Sequence, residues 1–196
     1  MRFSLAFVVL AALATPAARS DVRGCECIIE SPLTAGIRGC SLCMEAERRP
    51  ASEKVFVLKD ASPTKPNRWL ALPRASFDGA NPLARMSAED RLALWTKAIA
   101  QGREVWGEGW AVAFNGDISR QQCHLHVHIG KLLAGQEPTG QKELPAGAAK
   151  RSEGIYISGP AELPAIADGS GLWFHPAGSR LHVHVGEMTT ETVLLR

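Results

Sequence analysis

Histidine is used sparingly in this chain: there are six in 196 residues, and they fall into two groups. His124, His126 and His128 alternate with Leu125, Val127 and Ile129, while His175, His182 and His184 lie in one C-terminal stretch. Alternation is the two-residue period of a strand, so an extended backbone would carry the first three imidazoles to one side and the aliphatics into a core. A neutral imidazole titrates near about pH 6.5 and is available as a nucleophile at neutral pH. Its attack on phosphorus gives a phosphoramidate, which divides one hard displacement into two easier ones. Neighbouring histidines can hold the tautomer and carry the leaving-group proton.

Arg120 and Gln122 precede His124 by even offsets, which on an extended segment places them on the same face. A guanidinium there suits phosphate oxygens and the charge developing in a transition state. Ser119 and the Asn115-Gly116 turn add neutral donors. The rival reading is a metal site, because His-x-His on a strand is a zinc-ligand geometry. A bound cation would be repelled by Arg120, so phosphorus chemistry is favoured.

The second group, Trp173-Phe174-His175-Pro176 and Arg180-Leu181-His182-Val183-His184-Val185, puts His182 and His184 on one face of a strand. Packing of a small second sheet is favoured over a metal pair or a lid across the first site. His175 is assigned no role.

The elements that must position these residues follow from periodicity. Lys54–Asp60 and Arg68–Leu72, stopped by Pro73, read as an antiparallel hairpin around a Pro-containing loop. Ser87 is a good N-cap, with Glu89 and Asp90 at the positive end of the helix dipole. Leu92, Trp95, Ala98 and Ile99, continued less regularly to Val105 and Trp106, make an apolar stripe. Gly107-Glu108-Gly109 ends that helix, and Trp110–Phe114 is a third strand turning at Asn115-Gly116. Residues 135–153 read as a linker or long loop. Four short strands follow, Ile155–Ser158, Leu172–His175, Leu181–Val185 and Thr192–Leu195, in a β-rich C-terminal extension spanning 154–196.

Met1-Arg2, the apolar run Leu5–Ala14 and the small Ala17-Ala18 read as a secretory signal peptide over residues 1–20, so the protein is expected in the periplasm or secreted. Its removal takes away Arg2 and Arg19 and no acid, so the formal charge falls from +2 to zero. A neutral chain without basic runs is a poor nucleic-acid binder. Peripheral membrane contact stays open, and oligomeric state is not legible. Four of the five cysteines are Cys25, Cys27, Cys40 and Cys43. Disulfides are favoured for an exported chain, over structural zinc at Cys40-x-x-Cys43; Cys123 is expected as a buried thiol.

The segment His124-Leu125-His126-Val127-His128-Ile129-Gly130 resembles the signature of the histidine triad superfamily. With Ser119-Arg120-Gln121-Gln122 ahead of it, and with Val57-Leu58-Lys59-Asp60 and Leu70-Ala71-Leu72-Pro73, it is most similar to the CDP-diacylglycerol diphosphatase branch. The resemblance covers about Cys40 to Leu133. It implies an α+β fold with a mostly antiparallel sheet and one main helix, within a catalytic domain over 21–134. It further implies His126 as nucleophile, His124 and His128 in support, Arg120 and Gln122 near the phosphates, and no required cofactor. The implied reaction cleaves CDP-diacylglycerol to CMP and phosphatidate. A general nucleotide hydrolase or nucleotidyltransferase acting on soluble nucleotides is the first alternative. A periplasmic metal-binding protein using both His-x-His pairs and the cysteines is the second.

Overall fold

The structure, a computed structural model, describes Cys27 and residues 40–77, 79–136 and 153–196. The expected signal peptide, Cys25 and most of the expected linker lie outside the described residues. The fold is α+β. Helix α1 (Ser41–Arg48), the hairpin β1 (Val55–Lys59) and β2 (Trp69–Pro73), the short α2 (Pro82–Arg85) and the long α3 (Ala88–Trp106) come first. Strands β3 (Trp110–Phe114), β4 (Val127–Lys131), β5 (Ile155–Ile157), β6 (Gly171–Ala177) and β7 (Arg180–Glu187) follow. Among the described residues the strands form one antiparallel sheet in the order β1-β2-β4-β3-β6-β7-β5.

The C-terminal strands therefore continue the first sheet through the β3–β6 pairing and do not form a second one. The His182/His184 strand lies inside the sheet between β6 and β5. Of residues 192–195, expected as a strand, Thr192 and Val193 lie in the single 3-10 turn Glu191–Val193, and Leu194 meets the chain just past β4 through the isolated Leu132–Leu194 bridge.

Helix α3 starts where its cap predicts: the Ser87 hydroxyl accepts from the Asp90 amide at 3.0 Å. Its buried face is Leu94, Trp95, Ala98, Ile99 and Gly102, so Trp95, Ala98 and Ile99 of the expected stripe are buried, while Leu92 and Val105 are exposed and Leu94 takes the place of Leu92. Gly102 extends that face, because a Cβ there would stand 2.9 Å from the Cβ of Trp110; only a glycine allows the helix this close to β3. Trp95 and Trp110 each meet the Phe174 ring edge-on, which seals one layer of core on that face of the sheet.

Strand register assigns the other face. Paired residues share a side, so the row Leu70, His128, Ala113, Trp173, His184 runs across β2, β4, β3, β6 and β7. His175 and His182, themselves paired, lie on the same side two residues along. At one end of this face Phe56, Leu70 and Leu72 pack on α1 and the cysteines. Over the middle, Val193 and Leu194 cover Ala111 and Ala113. Gly130 permits that cover, because a Cβ there would come within 3.2 Å of Leu194. His128 thus shares the face opposite α3 with His175, His182 and His184.

Candidate active site

Only the last histidine of the triad stands on a regular strand, because β4 begins at Val127. The chain before it is not extended: Ser119 and Arg120 amides both donate to the Gly116 carbonyl, at 2.9 and 3.2 Å, closing a tight turn. The even offsets from Arg120 to His124 consequently do not carry the guanidinium onto the histidine face as expected. Arg120 is instead buried in an ion pair, with its Nη2 donating to Asp117 at 2.8 Å and to the Gly79 carbonyl at 2.6 Å.

The other expected phosphate donors also have structural occupations. The Asn115 side-chain oxygen accepts from the Thr190 amide at 2.9 Å, the Glu191 amide at 3.0 Å and the Thr190 hydroxyl at 3.3 Å. Ser119 shares a 2.7 Å hydroxyl contact with Thr189. Gln122 accepts from the Cys40 thiol at 3.0 Å.

Cys40 is a free, buried thiol, and Cys43 is bonded to Cys27. Cys123 takes part in a disulfide, correcting the expectation of a thiol there, although it is buried as expected. The sulfurs of Cys27 and Cys43 and the His124 ring converge within 4.8 Å. A disulfide offers no thiolate, however, so the Cys40/Cys43 pair is not a zinc knuckle in this oxidised chain.

The three triad rings are buried and differently employed. A carbonyl can only accept, so each histidine–carbonyl bond fixes a tautomer. His124 donates from Nε2 to the Pro73 carbonyl at 2.6 Å, anchoring the loop to the end of β2. His126 donates from Nδ1 to the His124 carbonyl at 2.9 Å, which leaves its Nε2 with the lone pair. Burial pushes His126 down to about 4; the bond to the His124 carbonyl opposes this, and the Arg120 charge adds to it. His126 is therefore an unprotonated imidazole at neutral pH with its tautomer set by the backbone.

His128 meets His126 edge-on, with ring centroids 5.0 Å apart. Burial holds it well below its usual value, assisted by the neighbouring His126. Its Nε2 faces a Glu191 carboxylate oxygen at 3.6 Å. Burial alone would raise that carboxyl. The charge of a protonated His128, the Lys65 hydrogen bond and the Lys65 and Arg68 charges prevail, and hold Glu191 at about 2.

Glu191 is the residue that sequence reading missed. It stands in the 3-10 turn Glu191–Val193, which Arg68 clamps. This buried guanidinium donates to the Glu191 carboxylate at 2.5 Å and to the Glu191 and Leu194 carbonyls at 2.7 and 3.0 Å. Lys65 adds a 2.7 Å bond to the same carboxylate. No local pattern around Glu191 signals this, because its partners come from the β1–β2 hairpin and from β4.

On the opposite face, a cavity of about 290 Å³ opens between α3 and the β6–β7 hairpin, lined by Thr96, Ile99, Arg103, Ser158, Arg180 and Leu181. It holds no histidine and is remote from the triad. Among the described residues no helix is long and apolar enough to cross a membrane. Neither the protein-family models nor the curated proteins compared with this chain give a match.

Proposed function

We propose that the chain is an exported, histidine-triad-like hydrolase that cleaves the pyrophosphate of a nucleotide diphosphate ester. CDP-diacylglycerol is the first substrate to try, with CMP and phosphatidate as products. The observation that carries this reading is the His126 tautomer: Nδ1–H is committed to a backbone carbonyl, and Nε2 keeps a lone pair that burial protects from protonation.

In the proposed reaction, His126 Nε2 forms a bond to the cytidylyl phosphorus as the bond to the bridging oxygen breaks. Phosphatidate leaves with that oxygen and its electron pair. Water then attacks the same phosphorus, the N–P bond breaks, and CMP departs with the imidazole restored and a proton released. His128, with Glu191 beside it, stands on the adjoining position to move protons in either half. His124 acts as a positioning residue through its carbonyl. Arg120 acts through its charge on His126, since Asp117 and Gly79 hold its Nη2. The Cys27–Cys43 bond supports export, because disulfides persist in oxidising compartments.

The test is CMP release from CDP-diacylglycerol and from water-soluble CDP-alcohols, by wild type and by His126→Ala, with and without chelator. Turnover that survives chelation and disappears in the variant supports the proposal. Turnover that persists in His126→Ala, or that chelator abolishes, rejects it. The ratio of rates on the dispersed lipid and the soluble ester decides between the lipid-directed enzyme and a soluble-nucleotide hydrolase.

A further inference from the structure

The proposed hydrolysis makes no use of His175, His182 and His184, yet their ring nitrogens converge within 4.8 Å of one another in a buried pocket. We infer that these three side chains form a binding site for a borderline divalent transition-metal ion of the zinc type. Imidazole suits zinc, copper and nickel, whereas magnesium and calcium take oxygen ligands.

Convergence alone would be weak, but the surroundings are those of ligands held in place. His175 donates from Nδ1 to the Pro176 carbonyl at 2.9 Å, so its Nε2 carries the lone pair. His182 donates from Nε2 to the Glu153 carbonyl at 3.0 Å, so its Nδ1 carries the lone pair. A histidine whose second nitrogen is tied to a carbonyl is the usual form of a metal ligand, oriented and made more basic by that bond.

The rings are also walled. Trp173 lies flat on His184 at 3.8 Å, and its indole N–H is fixed by Glu187 at 3.1 Å. Tyr156 lies flat on His182 at 4.2 Å. The backbone closes the remaining side at Gly154 (φ +76°), where a Cβ would reach within 2.5 Å of His182 Nε2 and 2.9 Å of His184 Cε1. A side chain at 154 would displace the rings that the glycine lets the chain approach.

Cross-strand pairing supplies the geometry. His175 and His182 are opposite one another on β6 and β7, and His184 is the next same-face position. Zinc bonds of about 2.0–2.1 Å set tetrahedral nitrogens about 3.3 Å apart, so the rings need close only by about 1.5 Å at most. Three protein ligands leave zinc a fourth position for water or another small ligand.

Purified full-length protein, stripped by chelator and then titrated with Zn²⁺, is expected to take up one equivalent per chain and to gain thermal stability. Mg²⁺ and Ca²⁺ are expected to do neither. His182→Gln/His184→Gln should weaken Zn²⁺ binding by about 100-fold or more, while His126→Ala/His128→Ala should bind as wild type. Folding of each variant is checked by circular dichroism. Should the first variant fail to fold, Co²⁺ added to wild type provides the second readout, where intense visible bands of a tetrahedral nitrogen site are expected. No uptake by folded wild type, binding lost in the His126/His128 variant, binding retained in His182→Gln/His184→Gln, or octahedral Co²⁺ bands would each overturn the site. These readouts are metal uptake and stability, so they stand or fall apart from CMP release.

Discussion

The two histidine groups use the same residue, the same His-x-His spacing and, at His128, the same face of one sheet, and their neighbours make them different. Around His126 and His128 the partners are charged: Arg120, Glu191, Lys65 and Arg68 all act on the two rings. Around His182 and His184 the neighbours include the Tyr156 and Trp173 rings, and the Arg180 guanidinium lies 4.8 Å over the Tyr156 ring. Each of the three basic side chains is itself paired with a carboxylate, Arg120 with Asp117 and both Lys65 and Arg68 with Glu191, so the first group sits beside a network of both signs. At the second, three ring nitrogens converge within 4.8 Å of one another between aromatic walls, which fits the metal ion inferred above. The His-x-His spacing therefore does not define a function by itself; under the two proposals above, the surroundings of each group distinguish them.

The sharpest way to break this comparison is at His126. His126→Ala should lower kcat/KM for a CDP-ester by at least about 1,000-fold, while Zn²⁺ uptake stays at the wild-type level. If turnover falls only slightly, the first group is not a nucleophilic site.

Next in size is the clamp. Arg68→Met leaves the Glu191 carboxylate without its buried partner, and should cost about 3 kcal/mol of stability in urea unfolding, the scale for removing one member of a buried pair. It should also reduce turnover, and Glu191→Gln should reduce turnover with a smaller loss of stability. Equal stability losses in the two variants would mean that Arg68 works only through the carboxylate and not through the Glu191 and Leu194 carbonyls.

Acid offers a third test. Unfolded His126 takes up a proton below about pH 6.5, while folded His126 resists until about 4. The unfolded state thus binds more protons between those values, and stability should fall as pH drops from about 6.5 to 4, by up to about 3 kcal/mol for this group. Glu191 has its folded value held at about 2. It adds stability that is present above about 4.5 and is lost as pH falls toward 2. The acid limb of kcat/KM should accordingly lie well below pH 6.5. His126→Ala should lessen the fall in the upper part of the stability profile, leaving there the share of His128, which burial also holds well below its usual value, and should leave the Glu191 part in place.

The smallest effects belong to residues that the fold has claimed. Ser119→Ala should alter turnover by less than about threefold and stability by less than about 1 kcal/mol, since its hydroxyl meets only the Thr189 hydroxyl on an exposed turn. A larger kinetic loss would return Ser119 to the phosphates.

How much of this was legible depended on whether the determining contacts were local. The β1–β2 hairpin, α3 and β3 follow from turn residues, the Ser87 cap and short-range periodicity, and they occur where the sequence places them. Arg120 went astray because the parity argument assumed an extended chain through a segment that Gly116 closes into a turn. Glu191 could not be found, because the contacts that bring it to His128 come from elements far apart in sequence. The joining of β6 to β3 was equally invisible. It needs Gly171, where a Cβ would strike the Phe114 carbonyl at 2.4 Å, and no pattern in either strand announces that approach. The disulfide expectation is met at Cys27 and Cys43, which are bonded across a sequence separation of 16. Cys123 failed because its pairing is tertiary.

Arg68 and Glu191 are separated by 123 positions along the chain. Under the proposed chemistry, a molecule still threading outward has its imidazoles in sequence but lacks the acid that completes them. Competence then arrives with the finished fold, and a cell exporting such an enzyme is spared stray attack on its own activated nucleotides before the protein has left.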